Sequence, residues 1–126
     1  MAVYELSVRT HFSAAHHLRG YDGKCADQHG HNWEVEVFVA GDKLNEMGIL
    51  IDFRLLKDIL KELLGVLDHA DLNKVDAFLA KNPTSENIAR FICEELSTRI
   101  SDTGCRVSRV SVRETPETAS VYTPGK

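Results

Sequence analysis

Two histidines, His29 and His31, flank Gly30 in a short segment that begins at Cys25, and a further histidine stands at position 16. Residues two apart on a strand project from the same face, so the pair can bring two imidazoles to one ion, with Gly30 leaving the space between them open. A third imidazole from His16 completes a three-histidine set that leaves one zinc coordination position free. That is the arrangement of catalytic rather than structural zinc, and the free position makes chemistry possible.

The elements that carry these residues read as strands. Tyr4, Leu6, Val8, Thr10 and Phe12 alternate as one largely apolar face, and the same period continued through Ala14 reaches His16. His29 and His31 lead into Trp33, Val35, Val37 and Val39 on one face, with Glu34 and Glu36 opposite. All three histidines therefore fall on the core-facing register. Buried neutral imidazoles need partners for their ring nitrogens, and one shared ion supplies them together. His11 and His17 fall in the opposite register and read as exposed or structural; the choice of His16 over His17 rests on that register.

Strands are expected over residues 3–12 and 32–40, joined by a Gly- and charge-containing connection over 19–28 that holds Cys25. After a turn region over 41–48, Asp52 is a good N-cap for a helix whose Leu56, Ile59, Leu60, Leu63, Leu64 and Leu67 repeat at helical spacing. A loop over 68–83 leads to a second helix, capped by Thr84, with Ile88, Phe91, Ile92, Leu96 and Ile100 on one stripe. Two more strands follow, over 106–115 and 119–122. The order β-β-α-α-β-β predicts an α+β layer: a four-stranded antiparallel sheet with both helices on one face. Its two open edges invite closure by a symmetric oligomer.

At 126 residues the chain is read as one domain, 1–126, with a net charge of −4 that argues against general nucleic-acid binding. An anionic substrate would have to be met by a local cluster of cations. Cys25, Cys93 and Cys105 form neither a disulfide framework nor a CxxC zinc pattern. With no signal-peptide core and no stretch of membrane-spanning length, a cytoplasmic protein is expected, without membrane or nucleic-acid partners. Cys93 lies beside the apolar stripe of the second helix and reads as a packing residue.

FSAAHHL around His16, KCADQHGH up to His31, LDH ending at His69, NPTSENIA from Asn82 and VRET ending at Thr115 stand in the order and nearly the full length of a known family. The chain resembles the 6-pyruvoyl-tetrahydropterin synthase family, and its CxxxHGH spacing is similar to that of the bacterial 6-carboxy-5,6,7,8-tetrahydropterin synthase branch. The resemblance implies the tunnelling fold (T-fold), in which three subunits close their sheets into a barrel and two trimers stack as a homohexamer with active sites at subunit interfaces.

By the same resemblance His16, His29 and His31 would hold Zn2+, and Cys25 would be the catalytic base, assisted by Asp68 and His69. Cys25 beside the histidines first reads as a fourth ligand, but a thiolate there would fill the position the substrate needs. Zinc on the side-chain oxygens would acidify adjacent C–H bonds, and a neighbouring carboxylate would orient His69 and raise its proton affinity. Glu114 matches the pterin anchor, because a carboxylate accepts two parallel N–H bonds from a 2-amino-pyrimidinone edge. Thr84, Ser85 and Glu86 would add polar contacts to the substrate, although their independent reading is helix capping. The implied activity is conversion of 7,8-dihydroneopterin triphosphate to 6-carboxytetrahydropterin, with release of triphosphate and acetaldehyde, in queuosine biosynthesis. The alternatives are formation of 6-pyruvoyl-tetrahydropterin and a zinc- or pterin-binding module without catalysis.

Overall fold

A computed structural model of the chain describes residues 3–23 and 26–125; Lys24 and the expected base Cys25 lie outside the described residues. Strand β1 runs over Tyr4–His16 and pairs antiparallel with β2, His29–Gly41, over their whole length. Both strands reach further than expected, and at the same end: β1 extends to His16 and β2 begins at His29, which face each other across the ladder. The alternation continues through these residues because the even positions of β1 and the odd positions of β2 stay on the buried face, from Val8 and Phe12 to His16 and from Val39 and Trp33 back to the histidine pair.

Helix α1, Phe53–Leu64, is capped by Asp52, whose carboxylate accepts from the Arg54 N–H at 2.8 Å. It buries Leu56, Leu60, Leu63 and Leu64 of the expected stripe, with Ile59 partly buried and Leu67 buried just beyond the helix end. Helix α2, Ser85–Arg99, is capped by Thr84, whose hydroxyl accepts from the Asn87 N–H at 3.1 Å. Its buried Ile88, Ala89, Ile92, Cys93 and Leu96 join the core, so Cys93 is a packing residue.

The sheet differs from the expected four antiparallel strands. Between the helices a two-residue strand β3, Ala70–Asp71, pairs parallel with β1 through Ala14 and Ala15. With β4, Arg106–Thr115, and β5, Thr118–Tyr122, it makes a five-stranded mixed sheet in the order β3-β1-β2-β4-β5. A two-residue strand has no period to read. It forms because the preceding corner is tied to β1 by the His69 N–H, which donates to the Ser13 carbonyl at 2.6 Å, and by the Ser13 N–H, which donates to Asp68 at 3.0 Å.

The core lies between the helices and one face of the sheet, with Phe12 and Trp33 stacked at 5.9 Å between ring centroids. The Trp33 indole N–H donates to the Ala14 carbonyl at 3.2 Å, and the His16 ring stands edge-on to Trp33 at 4.8 Å. The histidines are thus the polar end of the hydrophobic stack. The opposite face of the sheet carries charge: Arg9 pairs with Glu36 at 3.4 Å, and Arg109 lies over the Phe38 ring at 3.8 Å. Among the described residues, no helix is long and apolar enough to cross a membrane.

Candidate metal centre

His16, His29 and His31 converge at the end of the β1–β2 ladder. One ligand atom from each lies within 4.8 Å of the others, with the rings edge-on at centroid distances of 4.5, 5.3 and 4.8 Å. His16 is 1% exposed, while His29 and His31 are half-buried.

Each outer nitrogen of the first two rings is held by the backbone. His16 Nδ1 lies 2.8 Å from the Pro83 carbonyl and His29 Nδ1 lies 2.7 Å from the Asp27 carbonyl. A carbonyl oxygen can only accept, so both Nδ1 atoms carry hydrogen and both Nε2 atoms remain as donors to an ion. Burial holds the His16 side chain below the ordinary imidazole pKa against the opposing Pro83 bond and Glu114 charge, and burial does the same to His31 against the pull of Glu114. The neutral, metal-binding forms are thereby favoured.

Among the described residues, the buried side-chain nitrogens and oxygens left without a hydrogen-bond partner are His16 Nε2 and His31 Nε2. Buried polar atoms are rarely left so, and a missing ion is one of the few physical reasons. Glu114 Oε2 comes to 3.3 Å from His31 Nε2 but not in hydrogen-bonding geometry. The residues therefore fit a three-imidazole metal site with an open side.

Gly30 is not a steric requirement within the chain, because a Cβ there would come no nearer than 3.9 Å to the Ala14 carbonyl oxygen. It lines, with His31, Asn32 and Glu114, a cavity of about 760 Å³ that spreads over the open face of the sheet past His11, Glu34 and Arg113. Glu114, a half-buried residue near the end of β4, thus joins the histidines and the cavity at once.

Asp68 and His69 form a second group at the corner before β3. His69 Nδ1 is 3.1 Å from Asp68 Oδ1, and the His69 backbone is held at φ 59°, a conformation uncommon outside glycine. The His69 side chain is 83% exposed and does not line the cavity. Thr84, Ser85 and Glu86 do not line it either: Thr84 caps α2, and the Ser85 hydroxyl is engaged with Glu86 at 3.0 Å and Ser120 at 2.6 Å. The contribution of this segment that sequence reasoning missed is the Pro83 carbonyl on His16, for which a backbone atom gives no residue-type signal.

Residues 5–125 match the 6-pyruvoyl tetrahydropterin synthase family. The chain belongs to the 6-pyruvoyl tetrahydropterin synthase family. It is similar to the 6-carboxy-5,6,7,8-tetrahydropterin synthase of Bacillus subtilis, with 35% identity across 98% of this chain and 87% of that protein. The protein of the same name from Synechocystis is 42% identical over 68% of each chain. In structure the chain resembles the 6-pyruvoyl tetrahydropterin synthase of Caenorhabditis elegans, with a TM-score of 0.88 and 29% identity over 99% of this chain and 98% of that one. The T-fold expected from sequence agrees with this likeness, while the sheet has five strands in mixed order in place of the expected four antiparallel ones.

Proposed function

We propose that the protein is a zinc-dependent 6-carboxy-5,6,7,8-tetrahydropterin synthase, converting 7,8-dihydroneopterin triphosphate with loss of triphosphate and acetaldehyde, in the route to queuosine. The observation that carries this reading is the unpartnered, buried pair His16 Nε2 and His31 Nε2 beside His29, in a chain 35% and 42% identical to the proteins of that name from Bacillus subtilis and Synechocystis.

His16, His29 and His31 would hold the ion, with His16 and His29 fixed in orientation by the Pro83 and Asp27 carbonyls. When bound, zinc supplies Lewis-acid polarisation of the oxygens on the substrate side chain. Glu114 would anchor the pterin by accepting two N–H bonds from its 2-amino-pyrimidinone edge, a role its position lining the cavity beside His31 supports. Cys25, as thiolate, would remove a side-chain proton. Asp68 would orient His69, 3.1 Å away, to deliver or accept the second proton.

The exposure of His69 agrees with a site completed by a second copy of the chain, as in a homohexamer built of two trimers. Thr84, Ser85 and Glu86 lie off this chain's cavity, so any polar contact they add to substrate would be to a site shared with a second copy.

Mass spectrometry of the product formed from 7,8-dihydroneopterin triphosphate tests the reading. 6-Carboxytetrahydropterin with acetaldehyde is expected; 6-pyruvoyl-tetrahydropterin would transfer the assignment to the other branch, and unchanged substrate would leave a binding module. Cys25→Ala is expected to retain zinc and to lose about 10²–10⁴-fold in kcat.

A further inference from the structure

Arg19 sits three residues beyond the first histidine of the cluster, on the surface, where a free guanidinium would suit a phosphate. Its guanidinium is already occupied. Nη1 donates to the Leu79 carbonyl at 2.9 Å, Nη2 to the carbonyls of Phe78 and Lys81, the latter at 2.8 Å, and Nε to Asn82 Oδ1 at 3.2 Å. That engages four of the five N–H groups a guanidinium has. No carboxylate pairs with Arg19 among the described residues.

Asn82 closes the other half of the contact. Its Oδ1 also accepts from the Arg19 backbone N–H at 2.9 Å, and its Nδ2 donates to the Arg19 carbonyl at 2.9 Å. The Asn82 carbonyl in turn accepts from Asn87 Nδ2 in the first turn of α2, at 2.8 Å.

Residues 79–84 belong to no helix or strand, so no ladder of backbone bonds fixes them. Yet this segment presents the Pro83 carbonyl that holds His16 Nδ1. We infer that Arg19 and Asn82 are positioning residues of the metal centre, a clamp that fixes the 78–83 segment so that the Pro83 carbonyl holds His16 in its Nδ1–H form with Nε2 turned to the ion. The clamp also explains why an arginine is needed: only a planar fork reaches three carbonyls and an amide oxygen at once, which a lysine ammonium on a single point cannot do. The inference rests on the reading of the three histidines as a metal centre.

The test uses the full chain and zinc alone. Arg19→Lys and Asn82→Ala are titrated with zinc in competition with a chromophoric chelator, and nitrogen NMR of the metal-free protein reads the His16 tautomer. Both variants are expected to bind zinc about 10–100-fold more weakly, as loss of an outer partner of a ligand does, and to lose the single Nδ1–H form. Val107→Ala, a core change at the far end of the β2–β4 ladder, serves as the control for general destabilisation. It is expected to lower the melting temperature and leave zinc affinity unchanged.

Zinc affinity and tautomer both unaltered in the clamp variants would overturn the inference, as would an equal loss of affinity in Val107→Ala. Failure of wild-type protein to take up zinc would instead defeat the metal reading, and the tautomer would still decide whether the clamp acts on His16. Should Arg19→Lys not melt cooperatively, Asn82→Ser, which removes the amide while sparing the guanidinium, decides in its place.

Discussion

Two imidazole groups lie at the same end of the sheet and are held in opposite ways. His16, His29 and His31 face one another, His16 and His31 edge-on to Trp33, with Nδ1 of His16 and His29 on backbone carbonyls and the buried Nε2 of His16 and His31 unpartnered. His69 is turned out, 83% exposed, with one carboxylate for company. Burial and fixed orientation suit a ligand, which must stay neutral and keep one lone pair aimed. Exposure beside a carboxylate suits a proton carrier, which must gain and lose charge and meet a partner arriving from outside. One chain thus brings the three imidazoles together by itself and leaves the Asp68–His69 corner exposed.

The largest effects should separate the two groups. His31→Ala is expected to weaken zinc binding by well over the roughly hundredfold typical of outer partners, seen as lost metal in equilibrium dialysis. His69→Ala should keep its zinc and lose about 10²–10⁴-fold in kcat. Equal zinc loss in both variants would erase the distinction drawn between them.

A smaller effect concerns how the open corner is built. Asp68 is held below the ordinary carboxylate range chiefly by the Ser13 N–H, against desolvation and with help from His69. Its folded pKa lies below the unfolded one, so its contribution to stability is present above the unfolded value and is lost as pH falls through the folded value. The margin of wild type over Asp68→Asn should therefore be full near neutrality and shrink as pH falls below about 4, by denaturant unfolding at several pH values. A margin that persists at about pH 2 would mean that the Ser13 contact does not depend on the charge. Smallest is Thr84→Ala, expected to cost about 1 kcal/mol through loss of the α2 cap while leaving the histidine cluster intact.

These two regions were also unequally legible. The cluster could be read from the HxH spacing and period two together, because Phe12, Ala14 and His16 continue one alternation and Trp33 back to His29 continues another, although both strands run past their expected ends to do so. Both helices and both caps were readable for similar reasons: Asp52 and Thr84 supply side-chain acceptors just before apolar stripes of helical spacing. The corner was not. Ala70–Asp71 is too short for a pattern, and its pairing with β1 depends on Asp68 and His69 reaching Ser13 from 55 residues away in the chain. Glu114 beside His31 and the clamp of Arg19 on the 78–83 segment are likewise contacts between distant residues, three of them to backbone carbonyls that no residue type announces.

Zinc stoichiometry and coordination in the purified chain, by metal analysis and X-ray absorption, bear most directly on the centre itself. One zinc per chain with three imidazole nitrogens and an exchangeable oxygen is expected, lost when His16, His29 and His31 are replaced together. Zinc bound equally well by that triple variant, or full turnover of 7,8-dihydroneopterin triphosphate by metal-free protein, would contradict a catalytic centre built on these three histidines.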